Sequence, residues 1–309
     1  MPHKFPRMAS KMTLAQENVV LSLFGTAPDG LTPIEMQKLM FLISQEYITP
    51  LYDFIPYEQG CYSPTLASDV HKLADRNLVK TISAPDGQKR WKLTEEGLSG
   101  AVNRRAVAAH VAQFRRKYPL RGMELLADIY RKYPYYCIKS KIIKSVLPND
   151  KDALAAIERA KPRTKTPLAS IGYEGRTFEN YLNSLIRHGI TILCDVRKNP
   201  ISRKYGFSKA TLQRACDGIG VSYRHYPELG IPSSERCVLN CQSDYDALFE
   251  RYEREILPTA DDSVAEIARL VSDGECVALT CFEANLAQCH RTRVLASITR
   301  KTGVEVEHI

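Results

Sequence analysis

Apolar positions in the second half of the chain alternate between two spacings. LASIGY, ITILCDVR, VSYRHYP and CVALTC concentrate apolar side chains in short runs, as buried strands do. TFENYLNSLIRHG, FSKATLQRACDGIG, SDYDALFERYEREI and SVAEIARLVSDG space them at helical intervals, and VEVEHI closes the chain as an edge strand. Strands separated by helices predict an α/β domain over 168–309, with a mostly parallel sheet covered by helices on both faces.

The first half follows a different rule. MTLAQENVVLSLF (12–24) has helical spacing and stops at PDG. LTPIEMQKLMFLISQEY begins a second helix, with Thr32 as N-cap and Pro33 at the first helical position, where the missing N–H costs nothing. The aromatic connector YDFIPYEQGCY leads to a third helix opened by Ser63 and Pro64, its inner side carrying Leu66, Val70, Leu73 and Leu78. KTISA and QKRWKL then face each other across PDG at 85–87, and Thr94 with Glu95 and Glu96 starts another helix. Three helices followed by a hairpin are the order of a winged helix-turn-helix, expected over 10–100. A helical extension is expected over 101–147, and the proline- and cation-rich end of 148–167 predicts an exposed linker.

Composition narrows the classes. The 309 residues suffice for two domains, and 44% hydrophobic content indicates a folded chain. No apolar run nears the roughly 20 residues needed to span a bilayer, and the first residues lack the apolar core of a signal peptide, so the reading is cytoplasmic without a membrane partner. Nine cysteines show no framework spacing, which favours reduced thiols; Cys237 and Cys241 lie four apart without a matching pair, so a structural zinc there is not favoured. The net charge of +8 is uneven: residues 1–150 carry 21 Lys+Arg against 14 Asp+Glu, and residues 151–309 carry 22 against 21. The excess points to a polyanion partner for the first half. Candidate DNA contacts are His71, Lys72 and Arg76 on the third helix and Lys89, Arg90 and Lys92 on the wing, with Trp91 packed inward. Winged helices also dock proteins, so a protein partner stays open, as does a homodimer.

Chemistry concentrates at CFEANLAQCHR (281–291), directly after the last strand before the final helix, which is read as starting at Asn285. Tyr173, Glu174 and Arg176 follow the first strand, Asp195 and Arg197 the second, His225 and Glu228 the third. Parallel strands would bring these ends to one rim. Asp195 or Glu283 could act as general base on a water, and His290 or His225 as proton donor. Arg197, Arg291 and Arg176 could clamp phosphates, Tyr173 could stack on a base, and Glu174, Glu228 and Cys289 would complete the substrate site. No dense carboxylate cluster demands a metal, and no cofactor is expected.

The blocks IGYEGRTFENYL, DVRKNPISRKYGFSKATLQRAC, GIGVSYRHYPELG and ALTCFEANLAQCHR resemble, in order and spacing, the domain-of-unknown-function family 488 over residues 169–309. The resemblance implies an α/β fold and no settled activity; Gly172, Tyr173, Asp195, Arg197, His225, Glu228, Gly230, Cys281, Glu283, Cys289, His290 and Arg291 fall on its motifs without assigned roles. KLMFLISQEY and FIPYEQGCYSPTL, with the helices that follow, resemble the winged-helix-like module of the Panacea family of toxin-neutralising proteins, which would favour protein binding. The expected function is a nucleic-acid-targeting hydrolase that cleaves a phosphodiester or N-glycosidic bond in DNA or a nucleotide. Two alternatives remain open: a non-enzymatic DNA-binding or toxin-neutralising regulator that senses a nucleotide, and thiol chemistry at Cys281 or Cys289, whose thiolate His290 and Arg291 would favour.

Overall fold

The computed structural model describes residues 12–46, 51–99, 105–236 and 239–309. The chain divides into two compact units, Met1–Lys161 and Pro162–Ile309. Cys237 and the first residues of the expected helical extension lie outside the described residues. Among the described residues no helix is long and apolar enough to cross a membrane, and every cysteine is a free thiol.

The first unit is mostly helical. Helix α1 (Leu14–Gly25) starts in a capping box, Thr13 and Gln16 each satisfying the other's backbone N–H. Helix α2 (Pro33–Glu46) repeats the device: Thr32 Oγ1 accepts from the Glu35 N–H at 3.1 Å, and Glu35 Oε2 accepts from the Thr32 N–H at 2.9 Å. The aromatic connector, read from sequence without regular structure, forms a hairpin of β1 (Ile55–Tyr57) and β2 (Gly60–Tyr62), with Tyr57 stacked on Tyr62. Helix α3 (Pro64–Asp75) is capped by Ser63, as its Ser-Pro start predicts. Strands β3 (Val79–Ser83) and β4 (Lys89–Leu93) pair in an antiparallel register. Leu31 exchanges two backbone hydrogen bonds with Trp91, tying this hairpin to the α1–α2 turn.

Helices α4 (Glu95–Ser99), α5 (Arg105–Lys117), α6 (Gly122–Lys132), α7 (Ile143–Val146) and α8 (Lys151–Arg159) complete the unit. One apolar cluster runs from Val19 and Leu39 through Phe114 and Ile129 to Ala153 and Ile157. The expected helical extension and the start of the expected linker therefore share the core of the first helices, because α8 turns its apolar face inward. The unit also holds the whole charge excess: 24 Lys+Arg against 16 Asp+Glu.

In the second unit, strands β5 (Leu168–Gly172), β6 (Ile192–Asp195), β7 (Ser222–His225), β8 (Val277–Cys281) and β9 (Glu307–His308) form one sheet in the order β7-β6-β8-β5-β9, every pairing parallel. Every residue of β5, β6 and β8 is buried, and successive side chains point to opposite faces, so both faces are covered. The intervening helices are α9 (Phe178–Arg187), α10 (Lys209–Gly218), α11 (Gln242–Glu255), α12 (Asp261–Ser272) and α13 (Arg291–Thr302). The last helix begins later than its sequence suggests. After a 3₁₀ turn at Leu286–Gln288, Cys289 is extended (φ −127°, ψ 125°), which makes His290 the N-cap and Arg291 the first helical residue.

Candidate functional site

Register brings the strand ends together: Gly172 lies opposite Cys281, and Asp195 lies opposite both Thr280 and His225. Gly172 has no room for a side chain, since a Cβ there would stand 2.2 Å from the Glu283 carbonyl oxygen. That close approach brings the end of β5 against the turn that carries Glu283.

Cys281, Cys289 and His290 form the centre. All three are buried, and their ligand-capable atoms lie within 4.8 Å of one another. The His290 Nε2–H donates to the Val196 carbonyl at 3.0 Å, which leaves the lone pair on Nδ1, 3.8 Å from Cys281 Sγ. Cys281 Sγ lies 3.0 Å from Glu283 Oε2. The hydrogen bond from Cys289 holds the Cys281 thiol well below its usual range; burial opposes this and His290 reinforces it. Burial and the neighbouring sulfur push Cys289 well above that range. Arg291 is buried beside it and donates to Cys289 Sγ at 2.8 Å, the Glu283 carbonyl at 2.6 Å and Ser170 Oγ at 2.7 Å.

Asp195 is fully buried and committed to the fold. Its two oxygens accept from the Arg197 N–H at 3.1 Å, Arg197 Nε at 2.8 Å, Arg197 Nη2 at 2.5 Å and the Tyr223 hydroxyl at 2.6 Å. Burial alone would lower the Arg197 pKa, but the Asp195 hydrogen bonds and charge raise it. Arg197 also donates to the Tyr173 hydroxyl and the Phe207 carbonyl, both at 2.9 Å. Tyr173 stacks on Phe207 with centroids 4.2 Å apart, so its ring face is occupied. His225 donates through Nε2 to the Arg197 carbonyl and accepts at Nδ1 from Lys209.

Of three other residues named from sequence, Arg176 and Glu228 turn elsewhere and Glu174 holds the turn that carries Glu283. Arg176 donates to Ser184 and to the Ile309 carbonyl, Glu228 accepts from Ser263, and Glu174 accepts from the Ala284 N–H. In the first unit, Lys72 pairs with Asp69, Arg76 with Glu17 and Arg90 with Asp86. His71 packs edge-on against the half-buried Trp91, while Lys89 is exposed and Lys92 half-buried on the hairpin.

A cleft of about 400 Å³ opens over the centre, lined on one side by Cys281, Phe282 and Glu283 and on the other by the 197–204 loop. Sequence reasoning passed over Lys198, Arg203 and Lys204 of that loop, although DVRKNPISRKYG crowds cations into a short segment. Lys204 donates to the Tyr173 carbonyl at 2.6 Å, and burial lowers its pKa. Phe282 (43% exposed) and Ile201 (83%) present apolar surface to the cleft.

No curated protein and no solved structure matches the chain. Residues 177–298, from the start of α9 to the last turns of α13, match the family described as Domain of unknown function DUF488.

Proposed function

We propose that the protein is a hydrolase of a phosphate-bearing substrate, DNA or a nucleotide, and that its centre is Glu283 with Cys281, Cys289 and His290. The observation that carries this reading is the cleft itself, where Glu283 and Cys281, the latter backed by buried His290, face Lys198, Arg203 and Lys204 across about 400 Å³. Lys198, Arg203 and Lys204 suit a phosphate, and Phe282 offers the stacking surface for a base that Tyr173 cannot. In this reading Glu283, at the cleft wall, takes a proton from a water. Lys204, whose partly desolvated ammonium gives up a proton more readily, returns one to the leaving group. Asp195 then serves as the counter-ion that orients Arg197.

The first unit fits a winged helix whose first short strand is the Leu31 bridge to β4. Its excess of positive charge supports recruitment to nucleic acid, with Lys80 and Lys89 both exposed on the β3–β4 hairpin to meet a phosphate. A second reading rests on the pairing of Cys281 Sγ with His290 Nδ1, 3.8 Å apart, in which the imidazole takes the thiol proton and Cys281, at the cleft wall, acts as nucleophile.

The test is to incubate the full chain with labelled plain and modified DNA and follow strand breaks, abasic sites and released bases. Hydrolysis lost in Glu283→Gln supports the first reading. Turnover that survives Glu283→Gln but vanishes in Cys281→Ser supports the second, and no turnover by the wild-type chain removes both.

A further inference from the structure

We infer that Cys281, Cys289 and His290 bind a zinc-like divalent ion, with its fourth position open toward Glu283 and the cleft. Two thiolates and an imidazole form a donor set that selects zinc over the hard cations magnesium and calcium. The geometry is close to what such an ion needs. Bond lengths of about 2.3 Å to sulfur and about 2.0 Å to nitrogen, at a tetrahedral angle, put the two donor atoms roughly 3.6 Å apart. Cys281 Sγ and His290 Nδ1 are 3.8 Å apart, and no two of the three donor atoms are more than 4.8 Å apart.

The surroundings supply what a metal site requires beyond its ligands. The Val196 carbonyl accepts from His290 Nε2–H, so the tautomer that leaves Nδ1 as donor is fixed by the partner that commonly orients metal-bound histidines. Arg291 donates to Cys289 Sγ at 2.8 Å, an N–H···S contact suited to a ligating thiolate. Two thiolates neutralise a divalent ion, and the buried Arg291 guanidinium, which donates to Cys289 Sγ, adds a positive charge beside them. Cys281 and Glu283 both line the cleft, which gives the ion a path in.

Sequence spacing did not announce this site. One ligand comes from a strand end and two from the cap of the following helix, and only the extended Cys289 turns them toward one point.

The chemistry deepens the proposed hydrolysis and in that respect rests on it. Water in the fourth position becomes acidic, and Glu283 takes its proton as the O–H bond breaks. The hydroxide oxygen bonds to the electrophilic phosphorus or sugar carbon while the bond to the leaving group breaks. Lys204 gives its proton to the departing atom and regains one as Glu283 releases the proton it took, so water is the only co-reactant.

The experiment uses the full chain, purified under reductant, stripped with chelator and titrated with Co²⁺. The expected result is one Co²⁺ per chain, with thiolate-to-cobalt charge-transfer absorption and the visible bands of a tetrahedral ion, both abolished by Zn²⁺. Cys281→Ser and Cys289→Ser each weaken binding by more than the roughly 10–100-fold that loss of an outer partner such as Arg291 would cause. Folding of the variants is checked by circular dichroism; should either fail to fold, the wild-type titration decides alone. A folded wild-type chain without the charge-transfer band in excess Co²⁺ overturns the inference, as does a band that persists in both cysteine variants. Metal bound without cleavage of any nucleic acid leaves this site standing and removes the proposed reaction. Full cleavage by the stripped protein keeps the reaction and overturns the ion's part in it.

Discussion

Glu35 offers a direct test of how the first unit is held together. Its carboxylate is buried and accepts from Arg121 Nε at 2.8 Å and Arg121 Nη2 at 2.9 Å, besides the backbone N–H groups of Thr32 and Gly122. Burial alone would raise its pKa, but these hydrogen bonds and the Arg121 charge outweigh it and bring the pKa from 4.5 down to about 2. At about 1.4 kcal/mol per pH unit, the difference amounts to about 3 kcal/mol, trimmed toward 2 because Arg121 is a third exposed. A depressed carboxyl pKa stabilises the fold above the unfolded value and loses that contribution as pH falls. The window therefore runs from about 4.5 down to about 2. Glu35→Gln should lower unfolding stability by about 2–3 kcal/mol at neutral pH, with the gap to wild type closing across that window. Trp91 is the chain's single tryptophan and packs on this core, so urea unfolding followed by its fluorescence reports on this unit alone. A gap of constant size from neutral pH down to about 2 would refute the reasoning.

Other substitutions probe the second unit. Asp195→Asn leaves the buried Arg197 without its counter-ion and should destabilise by about 3–5 kcal/mol in chemical denaturation followed by tyrosine signals; an unchanged transition would show that Asp195 is not structural. Glu283→Gln should leave the melting temperature nearly unchanged while abolishing product release, and parallel loss of both would contradict its assignment as base. Gly172→Ala forces a Cβ against a backbone oxygen 2.2 Å away, so the unit should lose its cooperative transition, and a wild-type melting curve would contradict that account. Phe282→Ala should weaken single-stranded oligonucleotide binding by about 1–3 kcal/mol in fluorescence anisotropy without altering stability; equal affinity would remove the stacking role.

Much of the fold could be read from local signals, because caps and periodicity are local. Thr32 with Pro33 and Ser63 with Pro64 marked two helix starts correctly, and the alternation after residue 168 predicted the sheet. The β1–β2 hairpin was missed because three-residue strands containing Pro56 carry no alternation. The roles of polar residues were harder to assign, since their partners are distant in sequence. Arg176 finds Ile309, Arg197 finds Tyr173, and Arg291 finds Ser170. Sequence suggests a phosphate clamp for each, because an arginine's position along the chain does not show which carbonyl or hydroxyl engages it. The strand-end placement of Cys281 and Glu283 was legible; the cationic loop opposite them became meaningful only once the chain had closed over it.

The continuous core of the first unit bears on how this protein can be cut for study. Phe41 makes edge contacts with Tyr133 and Tyr136, and Gly60 lies against the ring of Tyr130. A fragment ending near residue 100 would strip these aromatic neighbours from the early helices and expose a greasy face prone to clumping. A piece of the first unit that stays dispersed in solution should therefore run through Lys161.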